Sequence, residues 1–217
     1  GLVGSEMCIR DRSSGFHEPY LMGANRRAGV GAPDYVKYML SRPVKVQPGS
    51  EFVYSTADSI LAGRMVEKAV GKRLSEYLYE RFFEPLGQGF PIWENCPQGH
   101  PIGGGGMFMT LSNMLKIGQV YLMDGKWKGQ QLVDPAWIKE ATAKQIETPN
   151  PGNDIWVCGY GYQFWRNPYE DSYRADGAYG QLTMVLPKKG LIVAIQCPES
   201  GDLNKVKPVM HELILSL

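Results

Sequence analysis

Pro48-Gly49-Ser50-Glu51-Phe52-Val53-Tyr54-Ser55-Thr56, running straight into Ala57, Ile60, Leu61, Met65, Val66, Ala69 and Val70, is the stretch on which the reading of this chain turns. Pro48-Gly49 is a turn signal. From Ala57 the apolar residues recur at helical spacing until Gly71, which predicts an amphipathic helix with a glycine stop. Ser55 and Thr56 carry hydroxyls suited either to capping that helix or to holding a substrate. Tyr54 then stands at the foot of the helix. A phenol of pKa about 10 is a poor base in water, but a neighbouring ammonium favours the phenolate and lets it relay a proton. The plainer alternative is a tyrosine that packs at a helix start.

Outward from this point the pattern stays helical for some distance. Upstream, Pro33 opens a short pattern through Tyr35, Val36, Met39 and Leu40 that Pro43 closes. Downstream, Leu74, Tyr77, Leu78 and Phe82 predict a second helix before Glu84-Pro85-Leu86-Gly87. The run Gly103-Gly104-Gly105-Gly106 then precedes Thr110, Ser112 and Asn113, candidate caps for a helix through Leu115, Ile117, Val120 and Leu122. No Gly-Lys-Ser/Thr follows the glycines, so they read as a tight connection and not a phosphate loop. Pro135-Ala136-Trp137 opens another helix. The period then changes to two: Tyr160, Tyr162 and Phe164 alternate with Gly161 and Gln163, and the runs 182–186 and 191–195 flank Pro187-Lys188-Lys189-Gly190. These predict an antiparallel meander, closed by an amphipathic helix through Val206, Val209, Met210, Leu213, Ile214 and Leu217.

Four pieces in order carry a resemblance: residues 48–56, the helix ending at residues 84–87, the glycine run before Thr110, and Asp176-Gly177-Ala178-Tyr179-Gly180-Gln181 beside a strand. Together they resemble the penicillin-recognising serine hydrolases, the family of class C β-lactamases, D-alanyl-D-alanine carboxypeptidases and related esterases and amide hydrolases. The resemblance implies an α/β fold of the αβα-layered β-lactamase/transpeptidase type, an antiparallel sheet flanked by helices and incomplete at its N-terminus. It covers the chain from Ser13 onward. It also implies a serine nucleophile and a lysine on an S-x-x-K helix, a Tyr-x-Asn element, and a Lys-Thr-Gly or His-x-Gly strand. Tyr54 matches the family tyrosine. No S-x-x-K occurs on a suitable helix before it, so the nucleophile is expected upstream of the supplied sequence and this portion by itself is expected to be inactive.

The remaining site candidates follow from the same resemblance. Thr56 stands where the family has an amide, with Ser55 beside it as a substrate contact. Arg174-Ala175-Asp176-Gly177 occupies the place of the Lys-Thr-Gly strand. Gly177 would let substrate backbone approach, the Ala178 N–H would donate to an oxyanion, and Tyr179 would border the substrate. Asp176 is the informative departure: a carboxylate there repels a substrate carboxylate. Arg174, two residues away on the same strand face, could compensate if it reaches the pocket. Esters or amides without that carboxylate are therefore the expected substrates, with a peptide substrate as a further possibility. A non-catalytic binding protein that retains the fold is the rival reading.

Composition fits a neutral small substrate or ordinary protein partners. The chain has 217 residues, and its 23 lysines and arginines nearly balance 22 aspartates and glutamates, which does not suit a nucleic-acid binder. No apolar run reaches the roughly 18 residues that span a bilayer. Cys8, Cys96, Cys158 and Cys197 form no metal or disulfide pattern, and His17, His100 and His211 share no ligand spacing, so no metal site is expected, and the family resemblance implies that no cofactor is needed. Asp58 and Glu67 are read as lying on an exposed helix face. Residues 1–12, GLVGSEMCIRDR, show neither period and resemble translated sequencing-adaptor read-through, so the domain is taken as residues 13–217.

Overall fold

The computed structural model of the chain describes residues 5–16, 20–197 and 203–217; His17 lies outside them. Its first half is helical: α1 (Ser5–Arg10), α2 (Gly23–Arg27), α3 (Tyr35–Leu40), α4 (Thr56–Val70) and α5 (Leu74–Leu78). Asp34 caps α3 by accepting the Lys37 N–H at 3.0 Å. The expected helix after Tyr54 is α4, and Gly71 ends it in the left-handed region at φ 69° with its N–H on the Glu67 carbonyl. Leu21, Met39, Ala57, Ile60 and Ile102 are buried together where α3 and α4 meet.

Two expectations are corrected here. Residues 5–10, read as aperiodic, form α1, and Ile9 enters the same core. A helix this short does not persist on its own, so tertiary packing and not periodicity holds it. Asp58 and Glu67, read as exposed, are buried, Asp58 completely. Glu67 accepts the Leu74 N–H at 2.9 Å and pairs with Arg64 and with His100, whose Nδ1 lies 2.9 Å away. The bonds it makes tie the end of α4 to the start of α5, which explains a carboxylate inside the protein.

A hairpin of β1 (Ile92–Trp93) and β2 (Met107–Phe108) brackets the glycine run. Gly103 and Gly104 lie against α4 so closely that a Cβ on Gly103 would overlap the Ser59 carbonyl, and one on Gly104 would sit 2.6 Å from Thr56 Cγ2. The glycines are there for close backbone approach. Of the three candidate caps, Thr110 is the one used, accepting the Asn113 N–H at 3.2 Å at the start of α6 (Leu111–Leu122). A short hairpin of β3 (Lys126–Trp127) and β4 (Gln130–Gln131) leads to α7 (Pro135–Thr142), capped by Asp134.

The meander follows as an antiparallel sheet in the order β5 (Trp165–Arg166), β6 (Tyr173–Gly177), β7 (Gln181–Leu186), β8 (Leu191–Ile195). The predicted strand at Tyr160, Tyr162 and Phe164 is corrected. Gln163 takes φ 67° and the Gly161 N–H bonds the Phe164 carbonyl at 2.7 Å, so the chain turns tightly there and the strand begins only at Trp165. Along β7 the alternation decides the layers. Leu182, Met184 and Leu186 pack with Met210 and Ile214 of α8 (Leu203–Ser216). On the opposite face α6 crosses so closely that a Cβ on Gly118 would meet Ile192 Cγ2 at 2.7 Å and Thr183 Cγ2 at 3.1 Å. Helix, sheet and helix form the expected αβα layers.

Gly103→Ala should lower stability in urea by about 1–3 kcal/mol, because the new methyl meets backbone that cannot yield. Gly152→Ala, with open space around it and ordinary φ, should change it by less than about 1 kcal/mol. Equal effects would show that the close approach to α4 is not a constraint.

Candidate functional site

Tyr54 is half-buried immediately before α4. Its ring stacks on Trp165, centroids 5.7 Å apart and planes 16° apart, and meets Tyr160 edge-on at 6.4 Å. The Arg12 guanidinium lies 4.3 Å from the ring centroid, close enough for cation–π attraction. Arg12 is itself buried. It donates to the Ser55 carbonyl, to Gln163 Oε1 at 2.9 Å and to the Tyr160 hydroxyl at 3.3 Å. Gln163 Oε1 also accepts from Ser59 Oγ at 2.6 Å, which joins α4 to the turn before β5. Burial pushes the Tyr160 phenol up to about 12, against the opposing pull of Arg12.

The two residues after Tyr54 turn inward. Ser55 is 1% exposed, and its hydroxyl donates to the Tyr20 carbonyl at 3.3 Å. Thr56 begins α4, and its hydroxyl points to Met22 Sδ at 3.2 Å. Ser55 occupies the N-cap position, yet its side chain makes no cap bond.

Across the sheet, Arg174 and Asp176 share one face of β6, as two-residue spacing requires, and pair through Arg174 Nε and Asp176 Oδ2 at 3.0 Å. The arginine side chain is 3% exposed. It also donates to the Arg166 carbonyl at 2.9 Å, to Asn167 Oδ1 at 2.8 Å and to the Trp156 carbonyl at 3.3 Å. Its guanidinium carbon lies 5.7 Å from the Trp165 ring centroid. Tyr54 and Asp176 are thus connected through Trp165 and Arg174. Gly177, Ala178 and Tyr179 are exposed at the end of β6. Residues 178–180 make the turn into β7, Tyr179 at φ 65° with 62% of its surface open.

Arg12, Gln163 and Trp165 were not singled out by sequence reasoning as site residues. Arg12 falls in residues 1–12, which the sequence reading set outside the domain, and Gln163 lies far from Tyr54 in the chain and carries no motif. Trp165 gave a signal, an aromatic in a half-buried strand, but such residues serve packing equally well. Among the described residues no group of three or more His, Cys, Asp or Glu could hold a metal ion, and no helix is long and apolar enough to cross a membrane. His211, on α8, shares a hydrogen bond between its Nδ1 and the Tyr169 hydroxyl at 2.7 Å.

The family model described as Beta-lactamase matches residues 12–206. The chain belongs to the Beta-lactamase family. A 45-residue stretch is 42% identical to a provisionally named D-alanyl-D-alanine carboxypeptidase of Escherichia coli strain K12, covering 21% of this chain and 10% of that protein. Among solved structures, a provisionally named 6-aminohexanoate-dimer hydrolase from Bacillus anthracis superposes with a TM-score of 0.80 at 18% identity, over 97% of this chain and 59% of that one. A penicillin binding protein from Bacillus halodurans gives a TM-score of 0.71 at 17% identity, over 95% of this chain and 71% of that one. At these identities the structural likeness is one of fold. The family is one of serine hydrolases, so the fold and family expected from the ordered pieces are borne out.

Arg174→Met should destabilise the protein by about 3 kcal/mol or more, because it leaves a mostly buried Asp176 and several carbonyls unanswered. Arg174→Met combined with Asp176→Leu should recover part of that loss, whereas Arg174→Lys should not, since an ammonium cannot replace the fork. Urea denaturation midpoints decide it; an Arg174→Met protein as stable as wild type would show the pair to be incidental.

Proposed function

We propose that this Beta-lactamase family chain is the C-terminal portion of an acyl-enzyme serine hydrolase acting on ester or amide bonds, with its serine and lysine carried upstream. In that reaction the serine oxygen attacks the carbonyl carbon while its proton passes to the Tyr54–lysine pair. The same proton then goes to the departing alkoxide or amine as the acyl bond breaks. Water hydrolyses the acyl-enzyme by the same relay in reverse order. The Ala178 N–H holds the oxyanion together with the serine's own N–H, and exposed Gly177 leaves the substrate backbone room.

The observation that carries the substrate class is the Arg174–Asp176 pair. Arg174 is buried with its Nε and Nη1 taken up by Asp176 and by groups within the sheet, which disfavours its receiving a substrate carboxylate, while Asp176 presents the opposite charge. This favours neutral esters and amides over penicillins. Ser55 and Thr56 are assigned to supporting Tyr54, because their hydroxyls are turned to Tyr20 and Met22.

The test uses the parent protein with its upstream coding sequence restored. A fluorophosphonate should label it stoichiometrically, and Tyr54→Phe should lower kcat/KM for an activated ester about 10²–10⁴-fold with little change in KM. The 217-residue chain alone should not label. A folded parent that fails to label would instead identify a binding protein on a hydrolase fold.

A further inference from the structure

A phenol relays a proton only while its oxygen stays within hydrogen-bond reach of the groups it serves, and a tyrosine side chain swings out of reach by rotation about two bonds. Tyr54 belongs to residues 51–55, which form neither helix nor strand before α4, so what packs against the ring decides where its oxygen points. The ring is met by Trp165 at 5.7 Å with planes 16° apart, by Tyr160 at 6.4 Å with planes 85° apart, and by the Arg12 guanidinium at 4.3 Å. Arg12 falls in the residues that the sequence places outside the domain. Trp165 and Tyr160 are the neighbours that the domain itself supplies, and of these two Trp165 is the one that lies nearly parallel to the phenol.

Trp165 is itself held in place. It opens β5, where its partner across the ladder is Arg174, and the Arg174 guanidinium carbon lies 5.7 Å from its ring centroid. That guanidinium is fixed in turn by Asp176, the Arg166 carbonyl and Asn167. Phe52 and Tyr160 meet the indole edge-on at 5.6 Å and 5.0 Å, an arrangement that aromatic rings prefer. Two rings and a buried cation, from three separate parts of the chain, thus set the plane of the indole. A half-buried strand position asks only for an apolar side chain. A surface that lies parallel to a phenol asks for a flat one.

We propose that Trp165 is a positioning residue for the hydrolase reaction: its indole plane restrains the Tyr54 ring and so keeps the phenol oxygen aimed at the serine and lysine it serves. The inference rests on the proton-relay role proposed above for Tyr54. Without the indole the phenol sweeps a wider arc, and fewer molecules of the enzyme hold it in reacting geometry at any moment. The loss therefore falls on the chemical step. Trp165 acts through Tyr54, so removing it costs nothing further once the phenol oxygen is gone.

The test uses the parent protein with its upstream coding sequence restored and an activated ester as substrate. Trp165→Leu should lower kcat about 10–100-fold with KM changed by less than about twofold, and Trp165→Phe, which keeps a flat ring there, should recover most of the loss. A double-mutant cycle separates aiming from packing. In a Tyr54→Phe background Trp165→Leu should cost less than about threefold more, whereas a packing role would cost the same in both backgrounds. Equal costs, or a Trp165→Leu enzyme with the wild-type kcat, would overturn the inference; if Trp165→Leu does not fold, Trp165→Met, which fills more of the volume, is read in the same way. A wild-type parent that no fluorophosphonate labels overturns the proposed reaction and this inference with it. One that labels fully while Trp165→Leu keeps its kcat overturns the role of Trp165 alone.

Discussion

A guanidinium that is 3% exposed must have its N–H groups answered inside the protein, and satisfying Arg174 organises the second half of this molecule. Its partners are the Arg166 carbonyl on β5, Asn167 in the connection, the Trp156 carbonyl in the preceding loop and Asp176 farther along β6. Arg174 Nε and Nη1 between them tie these four groups together. Trp165 is caught between this group and Tyr54. Strand β6 and the tyrosine at the foot of α4 are thereby related by packed rings and charge.

On the other side of Tyr54 the arrangement is similar in kind. Arg12 is buried, bonds the Ser55 carbonyl, Gln163 and Tyr160, and lies over the phenol ring. Two buried arginines thus bracket a tyrosine and a tryptophan. Such interiors tolerate little rearrangement, because removing one member leaves several polar groups without partners in a medium of low polarity. Asp58 is the exception. Its oxygens have no partners, and the energetic consequence falls on its protonation state.

Most of the layered architecture was legible in the sequence because it rests on local rules. The 3.6-residue period drew α4 and α6, the two-residue period drew β7 and β8, and glycine and proline marked their ends. The place of Tyr54 before α4 was legible for the same reason, and so was the shared face of Arg174 and Asp176. Where local rules mislead, long-range bonds prevail. The alternation at Tyr160, Tyr162 and Phe164 mimics a strand, but the turn is decided by the Gly161 N–H meeting the Phe164 carbonyl and by Gln163 reaching Arg10 and Arg12.

By itself, then, the sequence determined the family, the succession of helices and strands, and the tyrosine and carboxylate that stand out within it, since each is written in residues close together along the chain. Only the tertiary structure decided that Arg12 lies on Tyr54, that Trp165 joins Tyr54 to Arg174, and that Asp58 and Glu67 are inside. The contact of Tyr54 with Trp165 joins residues more than a hundred positions apart, and burial is a property of what covers a side chain, which helical spacing alone does not specify.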